Sequence, residues 1–529
     1  MTTNDHAPTR SWRPYLDTEI RRLLLLELPF MVPSPYDAAW LGRLTDGGGA
    51  PSYPQMLPWL LTQQHADGSW GSDAFFLPDR VLTTLSVVNF LASRADAPRE
   101  AQERGEGFLR RRAGELRADD DLTVGFELLL PAHVAEARRL GLAVDHLSWD
   151  FIDRAAKKKR AQLSTERLLA PTRDCLRPEN TALFSLEAFV GDLPDLESAA
   201  HRILRRDGSV WTSPSATAAL MTRVPNWSAR FPATRAYLDA ALTMCGGLPP
   251  NFAPYQYMMR GWIAYYLFHG GCWPQHRTHV RHHLDFLRAA WGPNGIGSDE
   301  GIPPDADDSA MSIFLTSQSD TPLDFTPLLA FERDDRFLDY SYGGHSVSTN
   351  LHVLEASASF PEPHRQRIRD KIVAHLLSVR QEGAWWNDRW NVSPHYSTSN
   401  ALIAIGPLAN EPMRATVRWV LESQHDSGGW GFLGEPTREE TAMELLALTV
   451  ARNSWAPEIP ETALHRAARF LASRETSGTG HFREPALWKS KVLYAPIPFV
   501  RAALLGALTR YIESFGEAHL PPPPPVGLL

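Results

Sequence analysis

Residues 63–71 read Gln-Gln-His-Ala-Asp-Gly-Ser-Trp-Gly, and residues 424–431 read Gln-His-Asp-Ser-Gly-Gly-Trp-Gly. Each stretch ends an apolar segment whose hydrophobic residues recur at the three- and four-residue spacing of a helix. Weaker copies occupy residues 207–211 and 381–385, and 45 residues separate Trp385 from Trp430. That interval is typical of helical hairpins stacked on their neighbours. In each copy a glycine permits the turn after the helix, and the indole covers the joint.

The rest of the chain also favours helices. Strand-like alternation is hard to find, and prolines and glycines lie mainly between the helical stretches. Further stretches with helical spacing are 81–93, 181–190, 261–268, 368–379, 415–421, 440–450 and 499–511. Because copies of the repeat lie in both halves of the 529-residue chain, the sequence predicts an all-α fold of two toroidal barrels.

Composition excludes several classes of protein. The chain has 53 Lys and Arg against 61 Asp and Glu, which argues against a nucleic-acid partner held on a basic face. Three scattered cysteines without a CxxC pair indicate neither a disulfide scaffold nor a zinc site, and favour a reducing compartment. The longest apolar runs, such as residues 23–26, fall far short of the roughly 20 residues that span a bilayer. A cytoplasmic protein without an integral membrane segment is predicted.

The most distinctive chemical feature is the stretch 303–310, Pro-Pro-Asp-Ala-Asp-Asp-Ser-Ala, which leads into an apolar helix. Like charges and desolvation both favour protonated carboxyls, so one of Asp305, Asp307 and Asp308 can remain an acid at neutral pH if water is excluded. An exposed acidic helix cap is an alternative from these residues alone. A calcium loop fits poorly, because Ala310 replaces the glycine at position six and no Glu stands at position twelve.

Taken together, these features resemble the class II terpene cyclases, and among them the two-domain bacterial diterpene cyclases similar to copalyl, kolavenyl and terpentedienyl diphosphate synthases. The acidic turn matches the DxDD motif of that family, and the helix-end repeats resemble its QW motifs. Further blocks similar to the family occur in the same order at residues 34–40, 67–71, 185–187, 213–218, 348–355 and 393–396.

The resemblance implies two (α/α) barrel domains in a βγ architecture, with the active site between them. The γ domain is inserted after the first helix of the β domain. We therefore expect a disordered N-terminus at 1–13, a β domain at 14–35 and 270–515, a γ domain at 36–269, and a proline-rich extended tail at 516–529.

The same resemblance implies that Asp307 protonates the terminal alkene of an isoprenoid diphosphate, while Asp305 and Asp308 hold it protonated and oriented. An alkene is a very poor base, so only a desolvated, preorganised acid can perform this step. The diphosphate is retained, so the net reaction is an isomerisation. Mg²⁺ is the implied cofactor, with no identifiable ligand set, and a downstream class I terpene synthase is an implied partner in secondary metabolism.

Aromatic faces stabilise cations without acting as nucleophiles, by about 0.5 to 2 kcal/mol per ring. The candidate rings are Trp273, Trp386, Trp390, Tyr342 and Tyr396. Each of them can equally be a core residue. Lys491 lies in a segment similar to the GKTLY segment of the family, whose lysine approaches the diphosphate, although a lone lysine is usually a solvated surface residue.

One departure from the family concerns the last proton. Plant copalyl enzymes hold the deprotonating water with a histidine and an asparagine, and the matching positions here carry Phe184 and Cys245. A cation denied an early base persists while hydrides and methyls migrate. A clerodane or halimane skeleton is therefore as credible as a labdane, unless a base lies elsewhere in the pocket.

The predicted function is cyclisation of geranylgeranyl diphosphate to a bicyclic diterpenyl diphosphate. The alternative within the same class is cyclisation of farnesyl diphosphate to a drimane-type diphosphate. The alternative from another class is a binding protein built on helical toroids, in which the acidic turn is a surface cap.

Overall fold

The computed structural model describes residues 11–27, 30–118, 121–163, 178–193, 195–341, 343–476 and 484–524. Helices dominate this part of the chain. Its named strands are β1 (Trp488–Lys489) and β2 (Leu493–Tyr494), which pair antiparallel with Trp488 opposite Tyr494. The all-α prediction is confirmed, and the tight hairpin between the strands is the main addition to it.

In chain order, the α-helices are divided here into an earlier and a later group, which are not the two cores of the fold. The first group comprises α1 (Trp12–Leu24), α2 (Pro35–Leu41), α3 (Met56–Thr62), α4 (Leu77–Ala92), α5 (Arg99–Arg112), α6 (Phe126–Arg139), α7 (Asp150–Gln162), α8 (Leu196–Ile203), α9 (Pro214–Met221), α10 (Trp227–Arg230) and α11 (Pro232–Met244). The second group comprises α12 (Gln256–His269), α13 (Arg277–Ala290), α14 (Ala306–Ser317), α15 (Val347–Ser357), α16 (His364–Ser378), α17 (Pro394–Ala404), α18 (Asn410–Glu422), α19 (Arg438–Ser454), α20 (Glu461–Thr476) and α21 (Ile497–Phe515). Short 3₁₀ segments lie at Ala113–Glu115, Pro178–Ala188, Val190–Asp192 and Thr326–Phe331.

Three helices begin with the same dipeptide, Ser-Pro. The hydroxyls of Ser34, Ser213 and Ser393 cap α2, α9 and α17 by accepting a backbone N–H of the first turn. The proline that follows each serine occupies the first helical turn, where its missing N–H costs nothing. The dipeptide therefore fixes where each of these buried helices starts.

The tryptophan repeats have the predicted structural role. Gly68 and Gly428 both have φ of +94°, which an L side chain rarely adopts, and the indole N–H of Trp70 and Trp430 donates to Leu60 and Val420 O at 2.7 and 2.8 Å. Gln64 and Gln424 also cap backbone carbonyls in equivalent ways.

The third copy differs from the prediction by one residue. Trp386, not Trp385, donates its indole N–H to the carbonyl ten residues upstream, at Leu376 O, 2.7 Å away. Its backbone N–H is bonded to the hydroxyl of Thr398, as that of Trp70 is to Thr84. The position of the ring is therefore set by its distance from the preceding helix and not by the glycine turn.

Buried apolar side chains form two large cores. The first core draws on α1 and on α12 to α21, and the second on α2 to α11 together with Val492. The chain thus enters the first core, leaves it to build the second, and returns. The predicted limit at residue 269 assigns α12 to the inserted domain, whereas its buried side chains belong to the first core, where it packs against α21. Helical periodicity alone does not tell which of two barrels a helix joins.

The two ends of the described part of the chain meet each other. The sequence left residues 1–13 unstructured, but α1 begins at Trp12, which is buried. The Trp12 indole N–H donates to Pro521 O at 2.6 Å, and its backbone N–H donates to Glu517. The start of the proline-rich tail therefore packs on α1, while residues 1–10 and 525–529 lie outside the described residues. In the described residues no helix is both long and apolar enough to cross a membrane.

Candidate active site

The acidic turn begins α14. Asp305 is its N-cap, and its carboxylate accepts the backbone N–H of Asp308 at 2.7 Å. Asp305 and Asp308 are only 7% and 8% exposed, and 15% of the Asp307 side chain is exposed. A cap exposed to water is therefore wrong: the turn is buried, and of its three acids Asp307 is the most open.

The environment raises the pKa of the two flanking acids. Burial raises the pKa of Asp305 well above its ordinary value, and the neighbouring charges of Asp308 and Asp307 raise it further. Burial likewise raises the pKa of Asp308, with Asp307 the next contributor. Like charges at this separation cannot all ionise cheaply away from water. The turn therefore holds protons near neutral pH that an exposed aspartate would release.

Asp307 is in contact with a histidine that lies 45 residues further along the chain. His352 on α15 places its Nδ1 2.5 Å from Asp307 Oδ1, and α14 and α15 pack along each other. From the described part of the chain no hydrogen bond reaches Asp307 Oδ2, and His352 Nε2 is likewise without a partner there. Asp307 thus keeps one carboxyl oxygen bound and the other available.

The charge state of His352 follows from its neighbours. Burial, the largest influence, acts to lower the pKa of His352, but the Asp307 charge and hydrogen bond, together with Glu355 and Asp388, outweigh it, and the net pKa is raised. A buried imidazole with a raised pKa carries its proton over a wider pH range than an exposed one. The imidazolium form is therefore favoured while Asp307 is ionised.

Aromatic rings pack around His352. The imidazole meets Trp262 and Tyr265 edge-on, at centroid distances of 5.5 and 5.3 Å. Trp262 stacks on Phe499 at 5.6 Å. We refer to the following rings as the aromatic shell: Trp262, Tyr265, Tyr396, Trp488, Tyr494 and Phe499.

The shell extends through the β1–β2 hairpin. The ring centroid of Trp488 lies 4.7 Å from that of Tyr396, 5.6 Å from that of Phe499 and 6.3 Å from that of Tyr494. The indole N–H of Trp488 donates to buried Glu439 at 2.5 Å, which fixes the plane of the ring. The rings next to the acid are therefore contributed by α12, α17, α21 and the hairpin.

The predicted aromatic candidates separate into different surroundings. Tyr396 belongs to the aromatic shell, and Trp386 is the repeat tryptophan described above. Trp273 follows α12 and donates its indole N–H back to Ala264 O at 2.9 Å. Trp390 is half-buried beneath the guanidinium of Arg389. Tyr342 lies outside the described residues.

Lys491 lies at the tip of the β1–β2 hairpin and is completely buried. Its ammonium donates to Glu187 Oε1 and Ser213 Oγ at 2.6 Å each and to Ser215 Oγ at 2.8 Å. An ammonium has three N–H donors, and all three are used. The surface-lysine alternative is therefore wrong, and contact with a diphosphate, which stays a prediction, requires these bonds to be exchanged.

Phe184 and Cys245 belong to different cores. Phe184 packs against the second core with the Lys491 ammonium 4.7 Å from its ring centroid. Cys245 packs against the first core, and burial raises the pKa of its thiol to about 11. Neither side chain offers a basic atom at neutral pH.

The sequence prediction missed His352, Trp262 and Trp488. His352 lies inside block 348–355 and Trp262 inside the predicted helix 261–268, but neither was given a role. The i, i+45 contact between His352 and Asp307 has no local signature. Only its position on a buried helix could have singled it out.

The side chains present bear on the predicted Mg²⁺. In the described residues no group of three or more His, Cys, Asp or Glu side chains could hold a metal ion. The described residues therefore do not form a dedicated Mg²⁺ cage. Magnesium usually takes one or two carboxylates and completes its shell with phosphate oxygens and water, so it stays a prediction tied to the substrate diphosphate.

Comparison with known proteins agrees with this fold and site. The family model for the squalene-hopene cyclase C-terminal domain matches residues 330–484. The chain is 30% identical over 508 residues to an ent-copalyl diphosphate synthase of Streptomyces sp. (strain KO-3988), covering 92% of this chain and 94% of the relative. It is also 30% identical over 511 residues to a terpentedienyl-diphosphate synthase of Kitasatospora griseola, covering 89% and 96%.

The solved structure of ent-copalyl diphosphate synthase from Streptomyces platensis superposes with a TM-score of 0.75 at 26% identity, covering 96% of this chain and 99% of that one. The fold is therefore the double α-barrel of the class II cyclases. The chain belongs to the class II terpene cyclase family and is an enzyme. The alternative of a binding protein built on helical toroids is wrong.

Proposed function

We propose that this enzyme is a class II diterpene cyclase that converts geranylgeranyl diphosphate to a bicyclic diterpenyl diphosphate, with the diphosphate retained. The observation that carries the proposal is the Asp307 Oδ1 to His352 Nδ1 contact at 2.5 Å beside the aromatic shell. Curated relatives over most of the chain are diterpene cyclases and copalyl-type diphosphate synthases, which supports the same substrate class.

Asp307 is the proposed acid because its two oxygens differ. When Asp307 carries its proton, Oδ1 accepts a hydrogen bond from His352 Nδ1, so the acidic proton sits on Oδ2, the oxygen without a partner among the described residues. A neighbouring cation stabilises the carboxylate that remains once the proton has been transferred. Burial raises the pKa of Asp305 and of Asp308, which reduces the negative charge that they place beside the acid. The geometry supports a single, directed proton transfer.

Ring closure then requires cation stabilisation without capture. The aromatic shell offers faces and edges in a water-poor environment, each worth about 0.5 to 2 kcal/mol to a cation. The rings are held in place by hydrogen bonds such as Trp488 to Glu439 and by mutual packing. A rigid, preorganised shell guides the conformation of the isoprenoid substrate without supplying a nucleophile.

The end of the reaction follows from Phe184 and Cys245. A phenyl ring has no basic atom, and a thiol with a pKa of about 11 stays protonated at neutral pH. Early deprotonation is therefore disfavoured there, which supports clerodane- or halimane-type products beside the labdane type. Because the product keeps its allylic diphosphate, a class I terpene synthase is the fitting downstream partner.

The test is incubation with geranylgeranyl, farnesyl or squalene substrate plus Mg²⁺, followed by phosphatase and mass analysis. A bicyclic diterpene alcohol released only after phosphatase is the expected result. Asp307→Asn should lower turnover at least about a thousand-fold, since the general acid is removed. The exposed Asp320→Asn is the matched control and should leave turnover unchanged.

Two other outcomes would each refute part of the proposed function. A drimane-type alcohol from farnesyl diphosphate alone would identify the shorter substrate and refute the diterpene assignment. Full turnover in a folded Asp307→Asn variant would refute Asp307 as the acid.

A further inference from the structure

Every turnover leaves Asp307 without the proton that it gave to the substrate. The need for a new proton rests on the function proposed above. The final proton is lost from the opposite end of the reacting cation, so it does not return to Asp307 directly. The acid therefore needs a supply from solvent, although both of its neighbours in the turn are buried.

Asp339 lies against the start of the acidic turn. Its backbone carbonyl accepts the N–H of Ala306, the first residue of α14, at 2.8 Å. Its side chain is 2% exposed, and no hydrogen bond of ordinary geometry from the described residues reaches either carboxylate oxygen, although the Ser346 hydroxyl is close enough to lower the pKa of the carboxyl. The nearest cation is Arg389, whose Nε is 3.5 Å from Oδ2. A buried carboxylate with free lone pairs is unusual and needs a reason.

Arg389 connects Asp339 to solvent. The guanidinium lines a cavity of about 180 Å³, together with polar side chains that include His345, Ser346 and Gln381. Gln381 and Arg389 are exposed, so the cavity opens to bulk water. A polar cavity of this size holds several water molecules. Water at Arg389 is thus one side chain away from Asp339, and Asp339 adjoins the turn that carries Asp307.

Opposing influences act on the pKa of Asp339. Burial raises its pKa to about 7, Arg389 acts to lower it, and the charges of Asp307 and Asp388 raise it. Both protonation states are therefore populated near neutral pH. A group that passes protons on works best when its pKa is close to the working pH.

We propose that Asp339 reloads the catalytic acid by accepting a proton from water in the Arg389 cavity and passing it to the Asp307 carboxylate. The O–H bond of Asp339 breaks as an O–H bond of Asp307 forms, and water then protonates Asp339 again. One proton enters from solvent for each proton released from the substrate, so the balance needs no other reactant. Asp339 acts through Asp307 and does not touch the substrate.

The test separates the first turnover from later ones. With enzyme in excess, each Asp307 spends the proton that it already carries, so Asp339→Asn should keep the single-turnover rate within about twofold of wild type. With substrate in excess, kcat should fall at least about tenfold, because transfers through a relay of this kind contribute at least that factor. Asp339→Glu retains a carboxyl and should keep most of the wild-type kcat.

Chemical rescue adds a measurement that a structural role would not move. At fixed pH, imidazole or formate buffer should restore kcat of Asp339→Asn in proportion to its concentration and leave wild type unchanged. If the amide variant does not fold, Asp339→Ser serves in the same experiment.

The proposal is overturned if kcat of Asp339→Asn equals that of wild type, or if single-turnover and steady-state rates fall together and buffer has no effect. Failure of the proposed function has a different signature. Asp307→Asn would then retain single-turnover activity, whatever Asp339→Asn does.

Discussion

Two pairs of ionisable side chains lie in the interior of this enzyme, Lys491–Glu187 and Asp307–His352. They differ in how many of their polar atoms have hydrogen-bond partners. In the Lys491–Glu187 pair, every N–H of the ammonium has an acceptor, supplied by Glu187 and two serines of the second core. In the Asp307–His352 pair, one oxygen and one nitrogen are bonded to each other, and the described residues give no partner to the remaining oxygen and nitrogen. We call Lys491–Glu187 the saturated pair because its ammonium has no unused donor, although Glu187 Oε2 has no partner among the described residues. We call Asp307–His352 the open pair, because each of its two side chains keeps a polar atom without a described partner.

The difference has an energetic basis. Removing charges from water is costly, and hydrogen bonds to every donor recover most of that cost. The Lys491 ammonium sits at a hairpin tip whose strand residues Trp488 and Tyr494 belong to the first core, while Val492 belongs to the second. That pair therefore couples the two cores. The Asp307 pair carries an unrecovered cost, because two of its polar atoms have no partner among the described residues.

The largest expected effect comes from breaking the saturated pair. Lys491→Met leaves Glu187 buried without a counter-charge, which should lower the free energy of unfolding by about 3–5 kcal/mol. Chemical denaturation measures this directly. If Lys491 instead serves the diphosphate, the variant would raise KM and leave stability unchanged, and the contrast between the two pairs would fail.

A double variant is the control for this prediction. Lys491→Met with Glu187→Leu removes both charges and should recover most of the lost stability, because an apolar pair of similar volume is often neutral relative to a buried ion pair. Equal destabilisation in the single and double variants would mean that packing at Lys491, and not its charge, links the cores.

The open pair should respond in turnover instead. His352→Gln keeps a hydrogen bond to Asp307 but removes the positive charge, so kcat should fall about ten- to a hundred-fold, at the lower end of what proton-transfer groups contribute. The raised pKa of His352 means that its charge is lost as pH rises through that value. Wild-type kcat should therefore decline on the alkaline side, and the decline should vanish in His352→Gln.

His395 offers a matched control, since its Nδ1 contacts buried Glu444 at 2.8 Å without touching Asp307. His395→Gln should keep the alkaline decline of the wild type. If both glutamine variants have the wild-type pH profile, the imidazolium does not strengthen the acid.

The sequence predicted the fold through local rules. The glycine turns, the capping glutamines and the Ser-Pro helix starts act within a few residues, and each has the expected geometry. Errors appeared where distance matters. Trp386 replaced Trp385 because the indole must reach a carbonyl ten residues upstream, and α12 joined the first core because packing, not periodicity, assigns a helix to a barrel.

The candidate site was predictable only in its local part, the acidic turn. The three aspartates lie within four residues, so their clustering is visible in the sequence. The groups that surround them come from other elements: His352 from α15, the ring of Trp488 from the hairpin and Asp339 from a connecting segment. Long-range contacts of this kind have no periodic signature.

The smallest expected effect joins the two pairs through Phe184. An imidazole placed there would lie near the Lys491 ammonium, which is 4.7 Å from the present ring. A nearby cation disfavours protonation, so the imidazole should stay neutral and basic. Phe184→His should therefore raise the share of the early-deprotonated labdane-type product several-fold, measured by mass analysis after phosphatase.

Phe184→Leu is the control, because it removes the same ring contact with Lys491 and adds no base. The comparison that matters is histidine against leucine, since both variants lose a cation–ring interaction of about 0.5 to 2 kcal/mol. An identical product ratio in the two would place the terminal base elsewhere. A ratio shifted only by histidine would show that a base at residue 184, held neutral beside the Lys491 ammonium, reaches the cation before it rearranges.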